Sequence, residues 1–364
     1  MWRKSLRMNE NINVQQRDKC NSCGADLKFN PNGQNLKCKH CGGEYPIAFT
    51  NVVQKRNFKD TSTDYSSFIS WKNESKIIKC RNCGAEVVLD SLEYAKNCPY
   101  CESSNIFEMN QLPTLAPDGI IPFAFDEVEA QKKFQQKVKK KFFVPRAFKN
   151  QKNDRVIKRQ IYAPSFSFDT DTKSTYHGVL IIEYPQTDSN GNRRTKIIRR
   201  PIHGNKDLSF RNHLIESSSK ISQHDLNGIK PYKIDQAVAF NKNFVKGYNV
   251  EHFSNTIQEC YAQAKVEMQN VIRRSILSGY SYDRVGYLDV KTSYLNEKFS
   301  YILLPLYKLQ FSYKKKAYLA YMNGQTGKIG GKLPIRALKI TLLVLSIVFS
   351  VVGFVLLILI FGGM

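Results

Sequence analysis

Eight of the nine cysteines fall into two copies of one pattern. Cys20, Cys23, Cys38 and Cys41 read C-x2-C, fourteen residues, C-x2-C. Cys80, Cys83, Cys98 and Cys101 repeat it sixty residues later, and Cys23-Gly24-Ala25 matches Cys83-Gly84-Ala85. Each C-x2-C turn offers two thiolates to one tetrahedral ion, and a facing turn completes the set, so the pattern predicts two Zn2+ sites. Four thiolates leave no open coordination position, so both ions are expected to be structural. A unit of about thirty residues buries too little core to fold alone, and metal binding is expected to supply the difference. A disulfide framework is the competing reading. It is disfavoured because no N-terminal signal peptide is read, which places the thiols in a reducing compartment. His40 lies inside the second turn of the first quartet, and a site of three cysteines and His40 is the alternative ligand set. Cys260 stands apart, in a helical pattern with Phe253, Ile257, Tyr261, Ala264, Met268 and Ile272, and is expected to be a buried core cysteine.

Other residues with chemistry are few. Asp169 and Asp171 alternate along a predicted strand, which puts both carboxylates on one face, where they could bind a cation or work as acid and base. The bland reading is a solvated strand end. Gly324-Gln325-Thr326-Gly327-Lys328 is too short for a phosphate loop, and Ile329 stands where a hydroxyl is needed. The histidines are dispersed, and no nucleophile elbow or dinucleotide fingerprint occurs. The chain is expected to be non-catalytic.

The elements that must carry these residues follow from patterning. Residues 1–18 read as disordered, 19–48 as the first ribbon, 49–76 as a linker and 77–107 as the second ribbon. Asp126 is a natural N-cap for a helix to Lys141. Strands are expected at Tyr176–Tyr184 and Arg194–Ile202 around a Ser189–Asn192 turn, then at Tyr287–Phe299, Tyr301–Tyr313 and Lys316–Met322, with one long helix from Phe253 to Leu277. Residues 118–333 therefore read as an α+β domain with a mainly antiparallel sheet. Residues 340–361 carry no charge and would make a helix of about 33 Å, enough for a bilayer core of about 30 Å. Lys328, Lys332, Arg336 and Lys339 precede that stretch. The expectation is a single-pass tail anchor in the cell membrane with the N-terminal part cytoplasmic.

The 364 residues carry a formal net charge of +24. That balance suits nucleic acid, an anionic membrane face or an acidic partner, although lysine-rich composition alone produces it. The densest cluster is Lys132 to Arg159, where only Asp154 opposes the cations. With Phe134, Val138, Phe142 and Phe143 as an apolar stripe, it reads as a basic helix facing anionic lipid or an acidic protein.

The twin CxxCGA ribbons, Pro117–Phe123 before a basic helix, Leu303–Tyr307, and Tyr321–Lys328 before a terminal apolar stretch resemble a family of bacterial tail-anchored zinc-ribbon membrane proteins. Members of that family are labelled as having ribbons of the transcription-factor-B or primosomal-helicase type, and some accompany phage-shock-type membrane-stress systems. The resemblance implies a membrane adaptor without helicase activity. The leading expectation is a non-catalytic adaptor that recruits cytosolic proteins to the inner membrane face. The alternative is a membrane-tethered nucleic-acid binder, using Lys19, Lys28, Lys37, Lys39, Lys79 and Arg81 with Phe29, Tyr45, Tyr94 and Tyr100 as stacking platforms.

Overall fold

A computed structural model describes residues 19–59, 75–90, 97–98, 100–101, 103–109, 115–150, 157–187, 193–218, 220–221 and 223–361. The expectations of disorder at 1–18 and of a turn at Ser189–Asn192 lie outside these residues.

The first quartet sits on a three-stranded sheet, β1 (Leu27–Asn30), β2 (Asn35–Cys38) and β3 (Glu44–Pro46). β4 (Arg56–Asn57) follows, then β5 (Ser75–Cys80), β6 (Glu86–Asp90) and β7 (Ile106–Met109), which hold the second quartet. Next come β8 (Gly119–Ile120), α1 (Glu127–Lys140) and α2 (Arg146–Asn150). β9 (Ile157–Thr187) and β10 (Arg193–Glu216) form a long hairpin. α3 (Gln223–Ile229), β11 (Val238–Ala239), β12 (Asn249–Glu251) and α4 (Ile257–Leu277) lead to β13 (Arg284–Tyr313). β14 (Lys316–Asn323), β15 (Ile329–Gly331) and α5 (Ala337–Phe361) end the chain.

β9 is the spine. It pairs antiparallel with β10 on one side and with β13 on the other. At about 3.3 Å per residue, its 31 residues extend about 100 Å. Cβ direction alternates along a strand, so the two faces have different fates. Near the body, Phe166 and Phe168 are fully buried with Phe299 and Tyr301, and α4 covers them through Tyr261, Ala264 and Met268. Farther out, Ile272 and Ile276 of α4 cover Leu180, Ile202 and Leu288. Past α4 the sheet continues without cover, and Tyr184, Ile197 and Ile198 are exposed.

Local signals explain the helix starts. Thr256 caps α4 in a capping box with Glu259, and Asp126 Oδ1 accepts from the Glu129 N–H at 2.8 Å to cap α1. Ala130, Phe134 and Val138 are the buried stripe of α1. Phe142 and Phe143, expected in that stripe, fall beyond its end and are exposed.

Two expectations are corrected. The domain after the ribbons is mostly β rather than α+β, because stretches read as separate strands are continuous. Tyr287–Phe299 and Tyr301–Tyr313 are one strand, continuous through register shifts at Val285/Tyr287, Leu295/Lys298 and Lys308/Leu309. The membrane-spanning helix at 340–361 is the second correction. Among the described residues, no helix is long and apolar enough to cross a membrane. The tail anchor, the single-pass membrane location, the cytoplasmic placement derived from it and the anionic-lipid contact fall with that helix.

Candidate metal centres

The turns that place the cysteines are built by backbone hydrogen bonds and glycine. In the first quartet, the Gly24 N–H donates to the Cys20 carbonyl at 2.8 Å, and the Cys20 N–H donates to the Ala25 carbonyl at 2.8 Å. Gly42 N–H to Cys38 carbonyl repeats the first bond at 3.0 Å. Gly84 N–H to Cys80 carbonyl, 2.8 Å, does the same in the second quartet. Gly24, Gly42 and Gly84 have φ of 69°, 78° and 68°, where a Cβ is disfavoured. The turn at Cys98 has no such glycine. There the Cys98 N–H reaches the Ser103 carbonyl at 2.9 Å, and the Tyr100 N–H points at the Cys98 sulfur at 3.4 Å.

Within each quartet the four sulfurs lie within 4.8 Å of one another. Cys20–Cys41 is 3.3 Å and Cys23–Cys38 is 3.5 Å. Cys80–Cys101 and Cys83–Cys98 are both 3.6 Å. Four sulfurs about 2.3 Å from one ion sit about 3.8 Å apart, so both quartets fit a tetrahedral ion after slight expansion. These separations exclude a disulfide, and all nine cysteines are free thiols. His40 is exposed and outside the converging set. Tyr45 supports the first quartet: its hydroxyl lies 3.2 Å from the Cys20 sulfur and accepts from the Asn21 N–H at 3.1 Å. That contact holds the Cys20 thiol down to about 5.

Both ribbons are built into the main body. Phe29 of β1 is 2% exposed and packs edge-on against Phe244 at 5.3 Å, while its N–H donates to the Lys246 carbonyl at 3.1 Å. Gln34 reaches the Phe123 carbonyl at 2.9 Å. The second ribbon joins through β12, which pairs with β6 on one edge and with β9 on the other. Lys220 Nζ donates to the Cys83 carbonyl at 2.7 Å, and Lys308 Nζ donates to the Tyr100 carbonyl. Between the ribbons, Arg56 pairs with buried Asp118 at 2.6 Å, and the Phe58 ring packs at a tilt against Tyr261 at 4.2 Å.

The cations near the turns are largely engaged. Lys19, Lys37 and Lys79 pair with Asp26, Glu44 and Glu86, and Arg81 lies over Phe107. Lys28 is held over Tyr248 and bonds Gln160. Phe29 is buried, Tyr45 supports Cys20, and the Tyr100 hydroxyl donates to Glu251. These contacts leave little of the stacking surface expected for a nucleic-acid reader; Tyr94 lies outside the described residues. In the Lys132–Arg159 cluster, Lys137 donates to the Gly327 carbonyl, Lys133 pairs with Glu129, and Lys149 donates to the Lys139 carbonyl.

Asp169 and Asp171 do share a face, and each secures a bulge in a neighbouring strand. The Asp169 carboxylate accepts from the Asn212 N–H at 2.8 Å and pairs with Lys55. Asn212 has φ of 53° and lies in the register shift of β10. Asp171 accepts from Asn296 at 2.9 Å, Arg211 at 2.6 Å and Ser209 at 2.8 Å, and Asn296, φ 53°, marks the shift in β13. Those bonds, Asn296 first, hold the Asp171 carboxyl well below the usual range. Asp171→Ala removes the acceptor shared by Asn296, Arg211 and Ser209 and is expected to lower the denaturation midpoint. A midpoint equal to the parent's would show the bulges hold without it.

Sequence reasoning passed over the buried carboxylates beside the second ribbon. Glu251 accepts from Ser218 at 2.6 Å and from Tyr100, and burial pushes it up to about 7. Glu216 is also buried and is pushed up to about 8 by burial. Cys260, buried as expected, points its thiol at the Glu216 carbonyl at 3.9 Å and is pushed up to about 12. Neither glutamate had a local signal: Glu216 ends a strand, and Glu251 sits in a strand of three residues.

Among known proteins, the chain is similar to the uncharacterized protein YdjG of Bacillus subtilis (strain 168). The two are 26% identical over 325 residues, covering 88% of this chain and 91% of that protein. No protein family and no solved structure matches the chain.

Proposed function

We propose that this chain is a non-catalytic platform, stabilised by two structural zinc ions, that recruits partner proteins. One observation carries the reading: each quartet is a closed four-sulfur set, the first packed into the main core and the second joined to it through β12. Cysteine-only sets select zinc by their softness and tetrahedral shape, and with four thiolates no position is left for a substrate. Metal-fixed turns and a long uncovered sheet offer a preordered surface, which lowers the entropy cost of binding. The polar residues with the most suggestive spacing, Asp169 and Asp171, are occupied in holding bulges.

The test has two parts. Purified full-length protein is expected to contain two zinc ions per chain by elemental analysis. Capture from lysate with nuclease on one half is expected to retain the same proteins in both halves. One ion or none would overturn the metal assignment. Protein partners that vanish with nuclease would replace recruitment by nucleic-acid binding.

A further inference from the structure

The outer part of the β9–β10 hairpin is chemically unlike the rest of the sheet. β13 begins opposite Ile181, at Arg284, so beyond that point the ribbon has two strands. From Arg193 to Lys206, β10 contains six arginines and lysines and no carboxylate. Among the described residues nearby, Glu183 pairs with Arg284, and Asp283 accepts from the Glu183 N–H at 2.7 Å. Among the described residues, β10 pairs only with β9, so its other edge has no partner strand. Residues 194–201 are exposed throughout.

Opposed residues share a face. Arg194, Lys196, Ile198 and Arg200 lie with Gln186, Tyr184, Ile182 and Leu180, while Ile197 and Arg199 lie on the other side with Glu183 and Ile181. Each face thus combines cations with exposed apolar side chains, Ile198 and Tyr184 on one and Ile197 on the other. A free edge is a template for another strand, and a row of like charges rejects a second copy of itself. The same row attracts an extended segment of opposite charge, with backbone bonds giving affinity and alternate side chains giving selectivity.

We propose that the edge of β10 from Arg194 to Pro201 docks an acidic, extended segment of a partner protein, which adds to the sheet as a strand. This rests on the recruitment reading and names the chemistry of the partner. Arg199 and Arg200, on opposite faces, contact acids on both sides of the incoming strand.

The test uses full-length zinc-loaded protein and a fluorescein-labelled peptide of four Glu-Val repeats, with a Lys-Val peptide and a duplex DNA as competitors. The acidic peptide is expected to bind, to slow amide exchange across residues 194–200, and to resist displacement by the Lys-Val peptide. R199E/R200E is expected to weaken binding by at least about tenfold while zinc content stays at the parent's value. Absent binding, protection elsewhere, or displacement by duplex DNA at equal charge would overturn the proposal. Lysate capture separates the two readings. If R199E/R200E retains the parent's partners, the edge is wrong and recruitment stands; if the parent retains none, recruitment itself falls.

Discussion

Cys98→Ser is expected to halve the bound metal and to loosen far more than the second ribbon. The Cys98 sulfur is buried within a four-sulfur set, and a serine hydroxyl is a poor zinc ligand. Structural zinc is worth roughly 10–16 kcal/mol to isolated ribbon peptides, so losing one ligand removes several kcal/mol. The damage has a route. β6 pairs with β12 at Val87 and Val88, and β12 pairs with β9 at Ile161 and Tyr162, both fully buried. Cys38→Ser has its own route, since Phe29 and Leu36 belong to the main core. Elemental analysis should find one ion per chain in either variant. Hydrogen exchange in Cys98→Ser should lose protection at Val87, Val88 and Val250. Faster exchange confined to the cysteine turns would show that the ribbons are appended, not integrated.

Stability is expected to fall as pH rises from about 5 to 8, and Glu216→Gln is expected to flatten that fall. The sign follows from burial. Glu216 sits at about 8 in the folded chain and near 4.3 when unfolded, so the folded state holds the extra proton between these values. Its contribution is complete below the unfolded value and is lost as pH rises through the folded one. Lys230 opposes the shift, Glu251 adds to it, and burial dominates. Three or more units correspond to roughly 4–5 kcal/mol as an upper bound. A neutral amide of the same shape removes the titration. Denaturation midpoints at pH 5.5 and 8 should differ clearly for the parent and less for Glu216→Gln, where Glu251, also held up by burial to about 7, supplies the remaining fall. Equal slopes for the two proteins would mean another group sets the dependence.

Much of the metal chemistry was legible because it is local. A C-x2-C turn is four residues, and Gly24, Gly42 and Gly84 state its backbone conformation. The same holds for Thr256 and Glu259 at the start of α4, and for the β9–β10 hairpin. What escaped was set by partners distant in sequence. Asp169 and Asp171 look like a catalytic pair until Asn212 and Asn296 are placed beside them. Phe29 reads as a surface aromatic of a small ribbon until Phe244 is brought against it. The length of β13 escaped because asparagine at positive φ lets a strand continue through a bulge that interrupts its alternation. The apolar run at 340–361 shows the reverse: its length and lack of charge read as a spanning helix, and among the described residues no helix is long and apolar enough to cross a membrane.

The docking of β1 also sets an order of events during synthesis. Phe29 leaves the ribosome about 215 residues before Phe244 and Lys246, its partners in the finished core. At about 5–20 residues per second, that is a wait of roughly 10–45 seconds. For that interval the first ribbon has no core to lean on, and only an ion captured on the nascent chain can hold its fold. Metal supply at the moment of translation, more than metal affinity of the finished protein, would then govern how many chains mature.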